Sequence, residues 1–188
     1  MPLYESSDIK KLKKLLKRCS KGNKNAQEHL YRIYYGYAMS IALRYSKSRI
    51  EAEEICNDAF FKWFTKKGQC SNVESFKPWF RRIIINTAID SYRSKVNQNH
   101  LVLLEQIEVV DQAKFDFKAI EAEEIIALMQ SLTPMYRMFF NLYVIEGFNH
   151  EEIAEKLNIT ASTSRSNLTR AKQKLRELIN DYYYEQAR

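Results

Sequence analysis

The side chains best suited to chemistry in this 188-residue chain lie between Asn149 and Leu178, in NHEEIAEKLNITASTSRSNLTRAKQKLREL. The chemistry they suit is recognition rather than bond making. Arg165, Ser166, Asn167, Thr169, Arg170, Lys172 and Arg176 follow one another on the outward faces of a helical pattern. Arginine can read guanine through two hydrogen bonds, asparagine can read adenine, and serine or threonine can touch bases or phosphates. The N-terminal part of a helix laid in a major groove meets the base edges, so Arg165, Ser166 and Thr169 are better placed than Arg176. The same pattern also fits the polar face of an ordinary helix hairpin.

Two helices and a tight turn must position these residues. Asn149 is suited to cap the first, and Glu151 and Glu152 fall in its first turn, where the helix dipole favours negative charge. Ile153, Ala154 and Leu157 recur at helical spacing and face inward. Asn158 can take the left-handed position that ends a helix, Ile159 can plug the corner, and Thr160 can cap the second helix. That helix buries Ser164, Leu168, Ala171, Leu175 and Leu178. Ser164 is unexpected there, since an apolar residue packs better in such a stripe.

Composition restricts the alternatives. Apolar residues make up 45% and charged residues 28%, which describes a globular protein. With Gly 4 and Pro 3, and apolar runs at helical rather than alternating spacing, the fold class is all-α. No apolar run approaches membrane-spanning length, so direct membrane insertion is not expected. The lysine-rich start reads as an amphipathic helix with Ile9, Leu12, Leu15 and Leu16 on one side. Cys19, Cys56 and Cys70 fit no metal pattern, and an odd count argues against a disulfide framework; reduced cytoplasmic thiols are the default. His29, His100 and His150 lie in separate segments with no nucleophile at a catalytic spacing. No catalytic residue, metal site or cofactor is therefore expected, and an enzyme is the least supported class.

The net charge of +7 is unevenly spread. Residues 1–99 carry 20 basic and 9 acidic side chains, residues 100–130 carry 2 and 7, and residues 131–188 carry 8 and 7. Basic segments favour polyanions. Apolar residues repeat helically over 25–45 (Ala26, Leu30, Ile33, Tyr34, Tyr37, Ala38, Ile41, Tyr45) and again over 48–66, where Ala52, Ile55, Ala59 and Trp63 face inward and Glu54, Asn57 and Asp58 share an exposed patch. A loop follows at 68–75. The next helix, with Pro78 in its first turn, gathers Trp79, Arg82, Asn86, Asp90 and Arg93 into one narrow arc at about 100° per residue. An aromatic, two arginines and an amide on one face suit unstacked bases and phosphates, or simply a solvated face. Residues 95–118 lack strong periodicity and read as a linker, which favours two domains. In the last bundle Thr133 and Pro134 form a cap and first-turn pair, Gly147 closes that helix, and Tyr182 to Tyr184 make a frayed aromatic end that can pack on a partner or, the favoured reading, on its own bundle.

Basic helical domain, acidic linker and helix-turn-helix occur in that order, and four stretches carry a resemblance: LYRIYYGYAMSIALRYSKSRIEAEEICNDAFFKWF, FKPWFRRIIINTAIDSYR, SLTPMYRMFFNLYVIEGFNHEEIAEKLNIT and STSRSNLTRAKQKLREL. Together they resemble the extracytoplasmic-function (ECF) branch of bacterial sigma factors over nearly the whole chain. The resemblance implies a region 2-like domain at 1–96, an acidic flexible linker at 97–118 and a region 4-like helix-turn-helix domain at 119–188. It implies a cytoplasmic protein that binds core RNA polymerase at its clamp helices and flap and directs it to promoter DNA, with an anti-sigma factor, often membrane-tethered, as a further partner. By matching position, Glu54, Asn57 and Asp58 dock on the polymerase; Trp79, Arg82, Asn86, Asp90 and Arg93 read the −10 element; Thr163, Arg165, Ser166, Asn167, Thr169, Arg170 and Lys172 read the −35 element. The loop at 68–75 resembles one that captures a flipped base. Asn57 and Asp58 stand where longer Gln and Glu are usual, Ser162 where Gly is common, and Ser164 where Val or Ile is common. The linker can thread a basic channel as a nucleic-acid mimic or act as a solvated tether. Two other readings use the same residues: a stand-alone regulator that binds duplex DNA through the last helix pair, and a helical adaptor that touches no nucleic acid.

Overall fold

A computed structural model of the chain describes residues 6–65, 75–98 and 122–186. These form α1 (Ser6–Ser20), α2 (Lys24–Tyr45), α3 (Arg49–Thr65), α4 (Phe76–Gln98), α5 (Ala122–Ser131), α6 (Pro134–Phe140), α7 (His150–Leu157) and α8 (Ala161–Gln186), with no strand among the described residues. The all-α expectation holds. The chain divides into two compact units, residues 1–42 with 49–88 and residues 43–48 with 89–188. Most of the residues expected to form an acidic linker (97–118) and a loop (68–75) lie outside the described residues.

In the first unit, α1 and α2 are joined by a corner that the sequence dictates locally. Gly22 takes φ +78°, its amide donates to Cys19 O at 2.9 Å, and the Asn23 amide donates to Arg18 O at 3.2 Å. This pair of bonds satisfies the last carbonyls of α1. The Asn23 side chain then accepts from the Ala26 amide at 2.9 Å and caps α2. The core is aromatic. Phe76 stacks on Phe80 with centroids 5.6 Å apart, meets Tyr34 edge-on at 4.8 Å and Trp63 edge-on at 5.6 Å, while Phe60 lies 4.8 Å from Phe80. Such pairs add about 0.5–1.5 kcal/mol each beyond the area they bury. They fix α2, α3 and α4 on one another. One residue departs from the sequence pattern: Ile33, expected on the inward face of α2, is 53% exposed.

In the second unit, Met129, Leu132, Tyr136, Phe140, Ala171 and Leu175 form the core, drawn from α5, α6 and α8. Thr133 caps α6 as expected, accepting from the Tyr136 amide at 3.3 Å with Pro134 in the first turn. α6 then widens into a single π turn over Asn141–Ile145, where the Glu146 amide reaches back to Asn141 O at 2.9 Å. Gly147, at φ +77°, ends it. α8 runs on to Gln186, so the end expected to fray is helical, and Tyr182 packs within the unit by donating to a Glu124 carboxylate.

Arg137 is the residue the sequence pattern conceals. It is 1% exposed, inside an apolar run, and its guanidinium donates to Met129 O at 2.9 Å and to Gln130 O and Leu132 O at 2.7 Å each. These carbonyls lie at the C-terminal end of α5, where the dipole favours a cation, and Met129 O also accepts from the Leu132 amide at 3.2 Å. Replacing Arg137 by Met strips a donor from three carbonyls, two of them in buried contacts, at a cost of about 1–3 kcal/mol for each acceptor left unsatisfied. Urea unfolding of Arg137→Met should show a loss of about 3 kcal/mol or more, with Arg137→Lys recovering less than half of it. A loss under about 1 kcal/mol would mean that water or relaxation serves these carbonyls equally well.

Candidate nucleic-acid interface

The helix pair of α7 and α8 is held by polar contacts at every joint. Asn149 and Glu152 form a reciprocal capping box: the Glu152 amide donates to Asn149 Oδ1 and the Asn149 amide to Glu152 Oε2, both at 2.8 Å. Asn158 adopts φ 56°, ψ 52°, and the Ile159 amide donates back to Ala154 O at 3.0 Å. Thr160 caps α8 by accepting from the Thr163 amide at 3.0 Å. Asn158 is the only residue other than glycine at positive φ among the described residues, so Ser162 needs no glycine-like backbone.

Ser164 now has a physical reason. It is fully buried, and its Oγ lies 3.0 Å from Nδ1 of His150, the first residue of α7. A hydrogen bond between the two helices replaces the apolar contact expected at this position. The His150 ring stacks on Tyr143 at 4.6 Å and 26°, and Lys172 Nζ sits 5.6 Å above the other partner's ring centroid at Tyr143. Burial lowers the His150 pKa, Arg165 and Lys172 lower it further, and Glu151 opposes them. His150 is the functional-site residue that sequence reasoning missed, since nothing in its spacing marks it as the partner of Ser164.

Arg165 and Ser166 are exposed at the N-terminal end of α8, with Thr163, Thr169, Arg170 and Lys172 half-buried beside them. Arg165 forms an ion pair with Glu151 at 2.9 Å, both side chains more than half exposed, so the contact is weak and its guanidinium remains available to another acceptor. The Ser166 and Thr169 hydroxyls donate to Thr163 O and Arg165 O, each at 3.1 Å, and must turn outward to meet DNA. Asn167 does not belong to this face. It is 4% exposed and its amide donates to Thr163 O at 3.0 Å. Position 167 is one turn before Ala171 and one residue before Leu168, on the edge of the buried stripe.

On α4 the arc is as expected: Arg82, Asn86, Asp90 and Arg93 are exposed and Trp79 is half-buried, while Phe80, Ile84 and Thr87 turn inward. On α3, Glu54, Asn57 and Asp58 are exposed, and Tyr31 donates to Asn57 Oδ1 at 2.9 Å, orienting that short side chain. Ile50 (72% exposed) and Phe61 (67%) belong to the same arc. Spacing could have found them, because at about 100° per residue positions 50, 54, 57, 58 and 61 share one face. Two wet apolar side chains bracketing carboxylates are characteristic of a protein contact rather than a DNA contact.

Among the described residues no cluster of three His, Cys, Asp or Glu could hold a metal ion, and no helix is long and apolar enough to cross a membrane. The elements thus define a helix-turn-helix unit with a basic recognition face, and a second helical unit carrying an aromatic-basic face and an acidic one. Residues 30–97 match the family description "Sigma-70 region 2" and residues 122–175 match "Sigma-70, region 4". The chain is 27% identical over 168 residues to the ECF RNA polymerase sigma factor SigE of Mycolicibacterium smegmatis, covering 86% of this chain and 62% of that one. It is 25% identical over 183 residues to the ECF RNA polymerase sigma factor SigW of Bacillus subtilis, covering 90% and 97%. A solved chain, described as the sigma factor RpoE in complex with the anti-sigma factor NepR from Bartonella quintana, is similar at 20% identity with a TM-score of 0.48, covering 81% and 96%. The chain belongs to the sigma-70 family of RNA polymerase sigma factors.

Two measurements follow from this geometry. Because the folded chain favours neutral His150, the unfolded chain takes up the proton more readily. Stability from this residue is therefore complete above the ordinary imidazole range, starts to fall below about 6.5 and is lost as pH passes through the lower folded-state value. The urea midpoint should drop between pH 7.5 and 5.5, and His150→Gln should remove that part of the drop; an unchanged slope would dismiss the half-buried ring as its source. The second concerns Cys19 and Cys56, both buried, with burial pushing their thiols up to about 11 and about 12. Both should resist an aromatic disulfide reagent in the native chain and react only as it unfolds, as read by mass spectrometry. Rapid native labelling of either would show that its site opens readily.

Proposed function

We propose that this sigma factor directs core RNA polymerase to promoters by reading a −35 duplex with α8 and a single-stranded −10 element with α4, while the α3 face docks on the polymerase clamp helices. The observation that carries the reading is the coexistence, in one chain of this family, of a capped helix-turn-helix whose leading residues are exposed and a separate helix face of Trp79, Arg82, Asn86, Asp90 and Arg93. Duplex recognition falls to Arg165, Ser166, Thr169 and Arg170, with Thr163 and Lys172 at its edge; Asn167 is withdrawn because it is buried. Single-strand recognition needs aromatic stacking and phosphate neutralisation, which Trp79, Arg82 and Arg93 supply. Glu54, Asn57 and Asp58 make the polar contacts to the polymerase, and Ile50 and Phe61 make the apolar ones.

Polymerase performs the catalysis; the sigma factor supplies position and stabilises opened DNA. The protein works in the cytoplasm, and the region 4-like unit also meets the polymerase flap. An anti-sigma factor that holds the protein inactive completes the partner set by family resemblance. The division into 1–96, 97–118 and 119–188 belongs to the same reading.

The test is a gel shift on promoter DNA with and without core enzyme. Specific binding should require core enzyme. Arg165→Ala should weaken holoenzyme binding by about 1–3 kcal/mol, roughly five-fold to 150-fold. Glu54→Arg should abolish co-purification with core enzyme while circular dichroism stays unchanged. Tight sequence-specific binding by the free protein would favour the stand-alone regulator. Full activity of Arg165→Ala and Arg170→Ala would favour the adaptor.

A further inference from the structure

α1 and α2 leave a groove of about 440 Å³ between them that no role above uses. Its floor is apolar, made by Leu12, Leu15, Ile33 and Tyr34, and its rim carries Lys11, Lys14, Arg18 and His29. No carboxylate is among the described residues that line it. Ile33 is the anomaly: its pattern neighbours Leu30, Tyr34 and Ala38 are buried, yet it stands 53% exposed in the groove. We infer that this groove docks an acidic amphipathic segment of a protein partner.

Three anionic occupants fit a basic rim, and the floor separates them. A nucleic acid would bring phosphates to Lys14 and Arg18 but leave Ile33 wet, and it would need an open aromatic face for its bases. Tyr34, the one aromatic in the floor, is 3% exposed and engaged edge-on with Phe76 at 4.8 Å. An anionic membrane would need the apolar stripe of α1 turned outward. Leu15, Leu16 and Cys19 of that stripe are instead buried in the unit. An amphipathic acidic helix satisfies both parts. Apolar side chains spaced i, i+3, i+4 and i+7 enter the groove over Ile33 and Leu12, and flanking carboxylates meet the rim. The occupant is thus a partner segment rich in Glu or Asp on one face and in Leu or Ile on the other. The groove uses neither the α3 face, the α4 arc nor α8, so the inference stands whether or not the promoter reading does.

The test titrates the full-length chain against a labelled peptide of about 20 residues, built of Leu and Glu with Leu at the i, i+3, i+4, i+7 positions, and reads fluorescence anisotropy. Saturable binding is expected, with a dissociation constant on the order of ten micromolar. Ile33→Asp and the double variant Lys14→Glu/Arg18→Glu should each weaken it at least ten-fold, Ile33→Leu should retain it, and Glu54→Arg should leave it unchanged. Ile33→Asp changes an exposed position, and its circular dichroism confirms folding before titration. The inference is overturned by absence of saturation, by equal affinity of the same peptide with Lys for Glu, or by an unaltered constant in Ile33→Asp. It is also overturned if phosphatidylglycerol vesicles or a single-stranded oligonucleotide bind through Ile33 and the rim while the peptide does not.

Discussion

The second unit depends on how α5 ends. Four carbonyls at a helix C-terminus have no partner within the helix, and burying them without donors costs more than the surrounding apolar contacts return. Arg137 reaches back from α6 and supplies bonds of 2.9, 2.7 and 2.7 Å to three carbonyls at that end. This fixes α5 against α6 at the place where Met129, Leu132 and Tyr136 begin the core, and so shapes the surface on which Ala171 and Leu175 of α8 lie. The exposed leading end of α8, to which duplex reading is proposed, inherits its position from this closed helix end. A buried cation would ordinarily be a liability; here a helix C-terminus and three carbonyl dipoles stabilise it.

The same solution, polar closure rather than apolar packing, recurs along the reading unit. A capping box starts α7, a left-handed Asn158 ends it, Thr160 starts α8, and the His150–Ser164 contact joins the helices where a hydrocarbon contact is usual. Directional bonds of this kind specify one helix–helix angle, whereas an apolar contact tolerates several. For the proposed duplex-reading helix, that is a functional property as much as a structural one.

The helix ends were legible in the sequence because their chemistry is local. Thr133 with Pro134, Asn149, Asn158, Thr160 and Gly147 each act on amides or carbonyls within a few residues, and each stands as its side chain requires. The α4 arc was legible because a straight helix keeps its period. What depended on distant partners was not. Arg137 carries no local mark because its acceptors lie five to eight residues back, at the end of the preceding helix. Ser164 read as a packing defect because its partner is 14 residues away. Asn167 read as a base reader because the buried stripe of α8 is wider than five residues suggested. The π turn left no local mark, and the exposure of Ile33 is set by what the neighbouring helices leave uncovered.

Division of labour between α4 and α8 is the central claim: one helix holds opened strand, the other holds duplex, and polymerase keeps them in register. Permanganate footprinting of a promoter fragment tests it most directly, because it reports unstacked thymines base by base. With core enzyme and this chain, reactive thymines should appear at the downstream element while the upstream element is shielded from nuclease. Trp79→Ala should abolish the reactivity and spare the upstream protection. Protection of both elements with no reactive thymine, or the same footprint from the chain without core enzyme, would contradict the account.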